Sequence, residues 1–122
     1  MSGIQSRDLS VERIFADVTN PHAGATVIFV GTVRKDRKLK ALDYEAYDEM
    51  AVRELNQLKR QAAKKFKLTE VAVVHRKGRL AVGDKVIIVA CSAPHRQEAF
   101  KACEWLVSEI KKIVPIWKKE IR

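Results

Sequence analysis

The segment Lys85-Val86-Ile87-Ile88-Val89-Ala90-Cys91-Ser92-Ala93-Pro94-His95-Arg96 joins an apolar strand pattern directly to a helix start. The run from Lys85 to Ser92 is rich in β-branched apolar residues, which favours a strand. Pro94 suits the first turn of a helix, where its missing amide is not needed. We expect that helix to continue to about Ile113. Its core-facing stripe would consist of Ala99, Cys103, Leu106 and Ile110.

The segments on either side alternate between strand and helix patterns. After Ser10, a plausible N-cap, apolar residues at helical spacing predict a helix over 11–18. A longer helix is predicted from Asp48 onward. Its apolar stripe would be Ala51, Leu55, Leu58, Ala62 and Phe66. Strands are predicted at Ala25–Val33, which we expect to be buried, at 42–47, where the polarity alternates, and at Val71–Arg76. Lys77-Gly78 and Gly83-Asp84 are turn signals.

The predicted order is roughly β-α-β-β-α-β-β-α, with a short final strand near Trp117. Few strands and two long helices indicate a single domain over 1–122 with an α+β fold. We expect a mixed, largely antiparallel sheet packed by two long helices, an α/β-hammerhead-like arrangement. The glycine-rich strand–helix turn of a dinucleotide fold or P-loop is absent.

Composition limits the class of protein. The sequence lacks both an apolar stretch of about 18 residues and a signal-peptide pattern, so we expect a cytoplasmic protein. It has two cysteines but no CxxC, HExxH or Cys/His cluster, so we expect no metal site. The net charge of +9 fits solubility, general attraction to polyanions, a phosphate-bearing substrate or an acidic protein partner. Nucleic acid is disfavoured, because aromatic residues are few and no recognised binding module is present.

The C-terminal segment Lys111-Lys112-Ile113-Val114-Pro115-Ile116-Trp117-Lys118-Lys119-Glu120 is the first candidate site. Pro115 should end the helix, so Lys111 and Lys118 can converge on one pocket instead of spreading along a helix face. A lysine near other cations, or removed from water, can act as an acid, base or nucleophile. The alternative is that both are ordinary surface lysines.

A second candidate is the basic helix start at His95 and Arg96, where free amides and the arginine fork favour an anion. His95 could instead cap or pack, with Arg96 solvated. Arg34 ends an apolar strand, a common position for functional residues, and could equally be a loop arginine. Cys91 and Cys103 are both predicted to be small buried hydrophobes.

Together these segments resemble the large, catalytic subunit of molybdopterin synthase. The matching stretches, in the family's order, are 24–34, 42–47 with Met50, 74–78, 92–96 and 111–120. The resemblance implies transfer of sulfur to cyclic pyranopterin monophosphate, which forms the dithiolene of molybdopterin. The sulfur would come from the C-terminal thiocarboxylate of a small ubiquitin-like partner ending in Gly-Gly. It also implies a central dimer of this chain, with one small subunit at each end of a 2+2 heterotetramer, and no cofactor.

The resemblance also implies roles for particular residues. Lys111 would lie nearest the thiocarboxylate, acting in proton transfer or stabilising the acyl intermediate, and Lys118 would assist it. His95, Arg96 and Arg34 would hold the phosphate and pterin. The same site would be lined by Thr32, Val33, Lys119 and Glu120. Some basic side chains would act across the dimer.

Two departures from the family pattern bear on function. The basic loop after Arg34 is shorter than in many relatives, and the chain stops at Arg122, where relatives usually continue. The missing tail commonly helps to cover the pocket. The alternative function is therefore a non-catalytic module of the same family that binds the partner or the pterin.

Overall fold

The computed structural model describes residues 2–122. The strands are β1 (Ser2–Gln5), β2 (Ala25–Thr32), β3 (Ala41–Ala46), β4 (Glu70–Arg76), β5 (Gly78–Ala81), β6 (Lys85–Ala93) and β7 (Ile116–Ile121). The helices are α1 (Val11–Val18), α2 (Asp48–Phe66) and α3 (Arg96–Ile113). No helix in this range is long and apolar enough to cross a membrane.

The strands form two sheets, and the predicted α+β class is confirmed. The larger sheet has the order β1-β4-β6-β2, with β1 parallel to β4 and the remaining pairs antiparallel. The smaller sheet has the order β5-β3-β7 and is antiparallel throughout. The sequence pattern predicts one sheet. The second sheet arises because β3 pairs with both β7 and β5, and β5 lies in a segment whose glycines predict only turns.

The larger sheet is covered on both faces, because alternate residues of a strand point to opposite sides. On one face, Val73 and Val89 pack with the apolar stripes of α2 and α3. On the other, Val74 and Ile88 pack with α1. A third cluster joins the two sheets and contains Val33, Leu39, Leu42, Leu80 and Val86.

The helix predictions hold closely. Ser10 caps α1, since its side chain accepts a hydrogen bond from the Arg13 amide at 3.2 Å. All four residues of the predicted α3 stripe are buried, as is the α2 stripe up to Ala62. Helix α3 begins at Arg96, so Pro94 lies before the helix and His95 is its N-cap, without a side-chain capping bond.

The expectation that residues 25–33 form a buried strand is wrong in part. Strand β2 lies at the edge of its sheet and pairs only with β6. None of its residues is fully buried, and Phe29 is exposed. An apolar run has the same composition at an edge as at a centre, so the sequence pattern could not distinguish the two positions.

Candidate functional site

One cavity of about 730 Å³ opens between the two sheets at the C-terminal end of α3. It is bordered by the end of β2 and the loop after it, by β3 and β7 of the smaller sheet, by the end of β4, and by the last turns of α3. Five of the predicted site residues line it: Thr32, Arg34, Lys111, Lys118 and Glu120.

Lys111 and Lys118 reach this cavity because the chain changes direction between them. Helix α3 ends at Ile113, with Val114 as its C-cap. Pro115 separates the helix from β7, which begins at Ile116. A continuous helix would have spread the two lysines along its length, whereas in the structure both line the same cavity.

The alternation of β7 decides which of its side chains face the cavity. Ile116, Lys118 and Glu120 share one strand face, and all three line the cavity. Lys119 points to the opposite face and is absent from the lining. Lys119 and Glu120, expected to line the same site, are therefore separated by the geometry of the strand.

The end of β2 separates Thr32 and Val33 in a similar way. Thr32 lines the cavity, whereas the Val33 side chain is 3% exposed and belongs to the cluster between the sheets. The Val33 amide donates to the Asp84 carbonyl at 3.0 Å, and its carbonyl accepts from the Gly83 amide at 2.8 Å. These bonds hold the strand end that presents Arg34 to the cavity.

His95 and Arg96 lie elsewhere in the chain. They stand at the start of α3, are exposed and do not line the cavity. Sixteen helical positions separate His95 from Lys111, which corresponds to about 24 Å at a rise of roughly 1.5 Å per residue. A single chain therefore does not bring them together with Lys111 and Lys118.

Charge in the cavity favours an anion. Arg34, Lys111 and Lys118 contribute three cations, against the carboxylates of Asp36 and Glu120. The Glu120 carboxylate also accepts a hydrogen bond from the Arg122 guanidinium at 2.6 Å, which offsets its charge. Such a wall can bind a phosphate or stabilise negative charge that develops during a reaction.

Two lining residues, His75 and Tyr44, were not predicted as site residues. Their rings lie 5.4 Å apart between centroids, at 59°. Burial lowers the pKa of His75, partly opposed by its bond to the Arg76 carbonyl, and burial raises the pKa of Tyr44. Both fall in segments that carry the family resemblance. Apart from that resemblance, the sequence around them gives no sign of a functional role. His75 is a single histidine near a strand end, and Tyr44 is one residue of a segment in which apolar and polar residues alternate.

The cysteines are buried, as predicted. A hydrogen bond with the Cys103 thiol and burial both raise the pKa of Cys91. The Cys103 thiol lies 3.6 Å from the Val89 carbonyl, inside the core. Neither residue lines the cavity. Within residues 2–122, no group of three or more His, Cys, Asp or Glu side chains is placed to hold a metal ion.

Comparison with known proteins agrees with this architecture. The family model described as MoaE protein matches residues 4–113. The molybdopterin synthase catalytic subunit of Pyrococcus abyssi is 44% identical over 117 residues, covering 93% of this chain and 79% of the relative.

Solved structures share the fold. Molybdopterin synthase from Staphylococcus aureus has a TM-score of 0.94 and 39% identity, covering 98% of this chain and 89% of the other. A Helicobacter pylori complex of subunits 1 and 2 of molybdopterin-converting factor contains a chain with a TM-score of 0.84 and 20% identity. That match covers 98% of this chain and 83% of the other, and it shows the fold alone. The chain therefore belongs to the MoaE protein family of molybdopterin synthase catalytic subunits.

Proposed function

We propose that this chain transfers sulfur from the C-terminal thiocarboxylate of a small ubiquitin-like subunit to cyclic pyranopterin monophosphate, forming the dithiolene of molybdopterin. The observation that carries the proposal is the convergence of Lys111, Lys118 and Arg34 on one cavity. Three cations lining one cavity suit a phosphorylated substrate and an anionic sulfur donor together.

The chemistry explains why lysines are needed. The thiocarboxylate sulfur bonds to a side-chain carbon of the substrate as a carbon–oxygen bond of that carbon breaks, which leaves a thioester between partner and substrate. A water oxygen then adds to the acyl carbon, and the acyl carbon–sulfur bond breaks to leave the sulfur on the substrate and a carboxylate on the partner. Two such transfers, from two partner molecules, supply the two sulfurs of the dithiolene. The addition passes through a tetrahedral oxyanion, which a nearby ammonium group stabilises. We assign this role and the accompanying proton transfer to Lys111, with Lys118 assisting. Arg34 binds the phosphate, and Thr32 and Glu120 line the same cavity.

The sulfur arrives on the partner, so the chain itself needs no nucleophilic thiol and no cofactor. This fits the burial of Cys91 and Cys103 away from the cavity. The partner assignment is supported by the family, whose member in Pyrococcus abyssi is named as the catalytic subunit of a synthase. A chain of the same fold from Helicobacter pylori was solved in a two-subunit complex. The net charge of +9 would speed encounter with an acidic partner surface.

The remaining predicted residues fit an assembly of more than one chain. His95 and Arg96 lie about 24 Å from Lys111 along α3. We therefore propose that they serve the substrate site of a neighbouring copy, in a 2+2 heterotetramer with this chain as its central dimer. We assign Val33 and Lys119 a positioning role. Val33 fixes the strand end before Arg34, and Lys119 lies in β7 between the cavity residues Lys118 and Glu120.

A single-turnover assay tests the proposal. The chain is mixed with a thiocarboxylated ubiquitin-like subunit and cyclic pyranopterin monophosphate, and the dithiolene product is measured as its oxidised fluorescent derivative. Product is expected from the native chain, and Lys111→Ala should abolish it while partner binding persists. Lys112→Ala is the matched control, because Lys112 is the next residue, is exposed and pairs with Glu109 at 3.4 Å.

The outcomes separate the functional alternatives. Turnover by Lys111→Ala at the native rate would remove Lys111 from the chemistry. Partner binding by the native chain without turnover at saturating substrate would instead identify a non-catalytic binding module.

A further inference from the structure

His75 is a buried residue that lines the cavity, and the sulfur transfer proposed above gives it no role. It is 6% exposed and lies next to the end of β4. It shares a strand face with Val73, which packs against α2 and α3. The cavity begins where that core layer ends, so His75 borders both.

The protonation pattern of the imidazole follows from its surroundings. The Nδ1 atom lies 2.7 Å from the Arg76 carbonyl oxygen, which can only accept, so Nδ1 carries the hydrogen. Burial favours the uncharged ring. The Nε2 atom is then an acceptor, and no described residue in 2–122 donates to it. An acceptor that lacks a donor from the protein, on a residue that lines a cavity, points to a donor supplied by a ligand.

The neighbours of His75 indicate the kind of ligand. The Tyr44 ring lies beside the imidazole, and Tyr44 is directly opposite Lys118 in the pairing of β3 and β7. This part of the wall offers an aromatic surface and a neutral acceptor, whereas Arg34 and Lys111 offer charge. A planar heterocycle with N–H donors matches the first set of groups, and a phosphate matches the second.

We propose that Nε2 of His75 accepts a hydrogen bond from an N–H group of the substrate's pterin ring system and thereby fixes the orientation of the substrate in the cavity. The heterocycle then lies along Tyr44, next to Lys118, with the phosphate toward the other two cations. This inference rests on the proposed function and adds a substrate-contacting residue to it.

Kinetics of substituted chains test the hydrogen bond. His75→Phe keeps a ring beside Tyr44 and removes both nitrogens, whereas His75→Gln retains a side-chain acceptor. For His75→Phe, the KM for cyclic pyranopterin monophosphate should rise by about tenfold to a hundredfold, as expected for one lost hydrogen bond. The KM for the thiocarboxylated subunit should stay within about twofold, since that partner does not use His75. His75→Gln should recover most of the loss.

The control is His22→Gln, at an exposed turn. It should leave both KM values unchanged. An unchanged pterin KM in His75→Phe, or a rise only in the KM of the sulfur-carrying subunit, would overturn the inference.

A second measurement needs neither substitution nor sulfur transfer. The ¹⁵N chemical shift of His75 Nε2 in the native chain should move from that of a free lone pair toward that of a hydrogen-bonded one when cyclic pyranopterin monophosphate is added alone. A shift in a chain that gives no dithiolene would support the His75 contact and contradict the proposed function. Dithiolene formation with an unmoved Nε2 signal would contradict the His75 contact only.

Discussion

Tyr44 and Lys118 are direct partners in the antiparallel pairing of β3 and β7. Directly opposed residues of antiparallel strands project to the same face, with Cβ atoms about 5 Å apart. The two side chains therefore leave the sheet side by side on the face that lines the cavity, and Lys119 faces away from both. The pairing of β7 with β3, and not the local sequence alone, therefore determines that Lys118 lies on the face beside Tyr44.

The first prediction follows from this strand face. Lys118→Ala should lower the rate of dithiolene formation by about a hundredfold or more, the usual cost of removing one group that stabilises developing charge. Lys119→Ala should have a much smaller effect in the same single-turnover assay. Both residues are exposed, so neither change should reduce the free energy of unfolding by more than about 0.5 kcal/mol. Equal losses of rate in the two variants would show that β7 is not oriented as described.

Much of the fold could be predicted from periodicity. The apolar stripes of α2 and α3 are spaced at 3.6 residues over long segments, where the signal is strongest. The sequence pattern does not reveal strand β5, because the strand has only four residues and itself begins with a glycine, Gly78. The division into two sheets was missed for a different reason. It depends on β7 pairing with β3, a contact between segments that are more than sixty residues apart in sequence.

The candidate site was predictable where local sequence controls direction. The helix break at Pro115 lets Lys111 and Lys118 line one cavity, and Arg34 at the strand end lines the same cavity. The contribution of His75 depends on its burial and on which nitrogen bonds the Arg76 carbonyl. Those are tertiary properties, and a single histidine in a sequence does not reveal them.

The second prediction concerns the cysteines. Replacing both Cys91 and Cys103 by alanine should leave sulfur transfer intact, because neither thiol lines the cavity. Each replacement leaves a small void in the core and should cost roughly 1 kcal/mol of unfolding free energy. Urea unfolding and the single-turnover assay measure the two effects separately. Loss of turnover in a double variant that remains folded would indicate a thiol-dependent step.

The third prediction concerns the join between β2 and the start of α3. A Cβ built on Gly24 would lie 2.4 Å from the Pro94 carbonyl oxygen, so Gly24→Ala must displace backbone. We expect a loss of about 1–3 kcal/mol in unfolding free energy. Gly31→Ala is the comparison, because its Cβ would lie 2.8 Å from a side-chain methyl of Ile87, which can move more easily. A larger loss for Gly31→Ala than for Gly24→Ala would contradict this order.

The fourth prediction is a pH dependence of stability that comes from His75. Burial lowers the pKa of this imidazole in the folded chain below the ordinary value of 6.5. Between those two values the unfolded chain binds more protons, so the free energy of unfolding must decrease as the pH falls below about 6.5. The decrease ends once the folded imidazole is also protonated.

His75→Phe should remove this component, because phenylalanine does not titrate. Urea unfolding of the native and substituted chains between pH 5 and 8 gives the comparison, with the difference between the two curves as the readout. Other titratable groups of the cavity cancel in that difference as long as they are unchanged. They are Tyr44 on β3, Lys118 and Glu120 on β7, Lys111 on α3, and Arg34 and Asp36 after β2. Parallel curves across the whole range would mean that the imidazole takes up its proton as readily in the folded chain as in the unfolded one. His75 would not then be the neutral acceptor that the proposed hydrogen bond to the substrate needs.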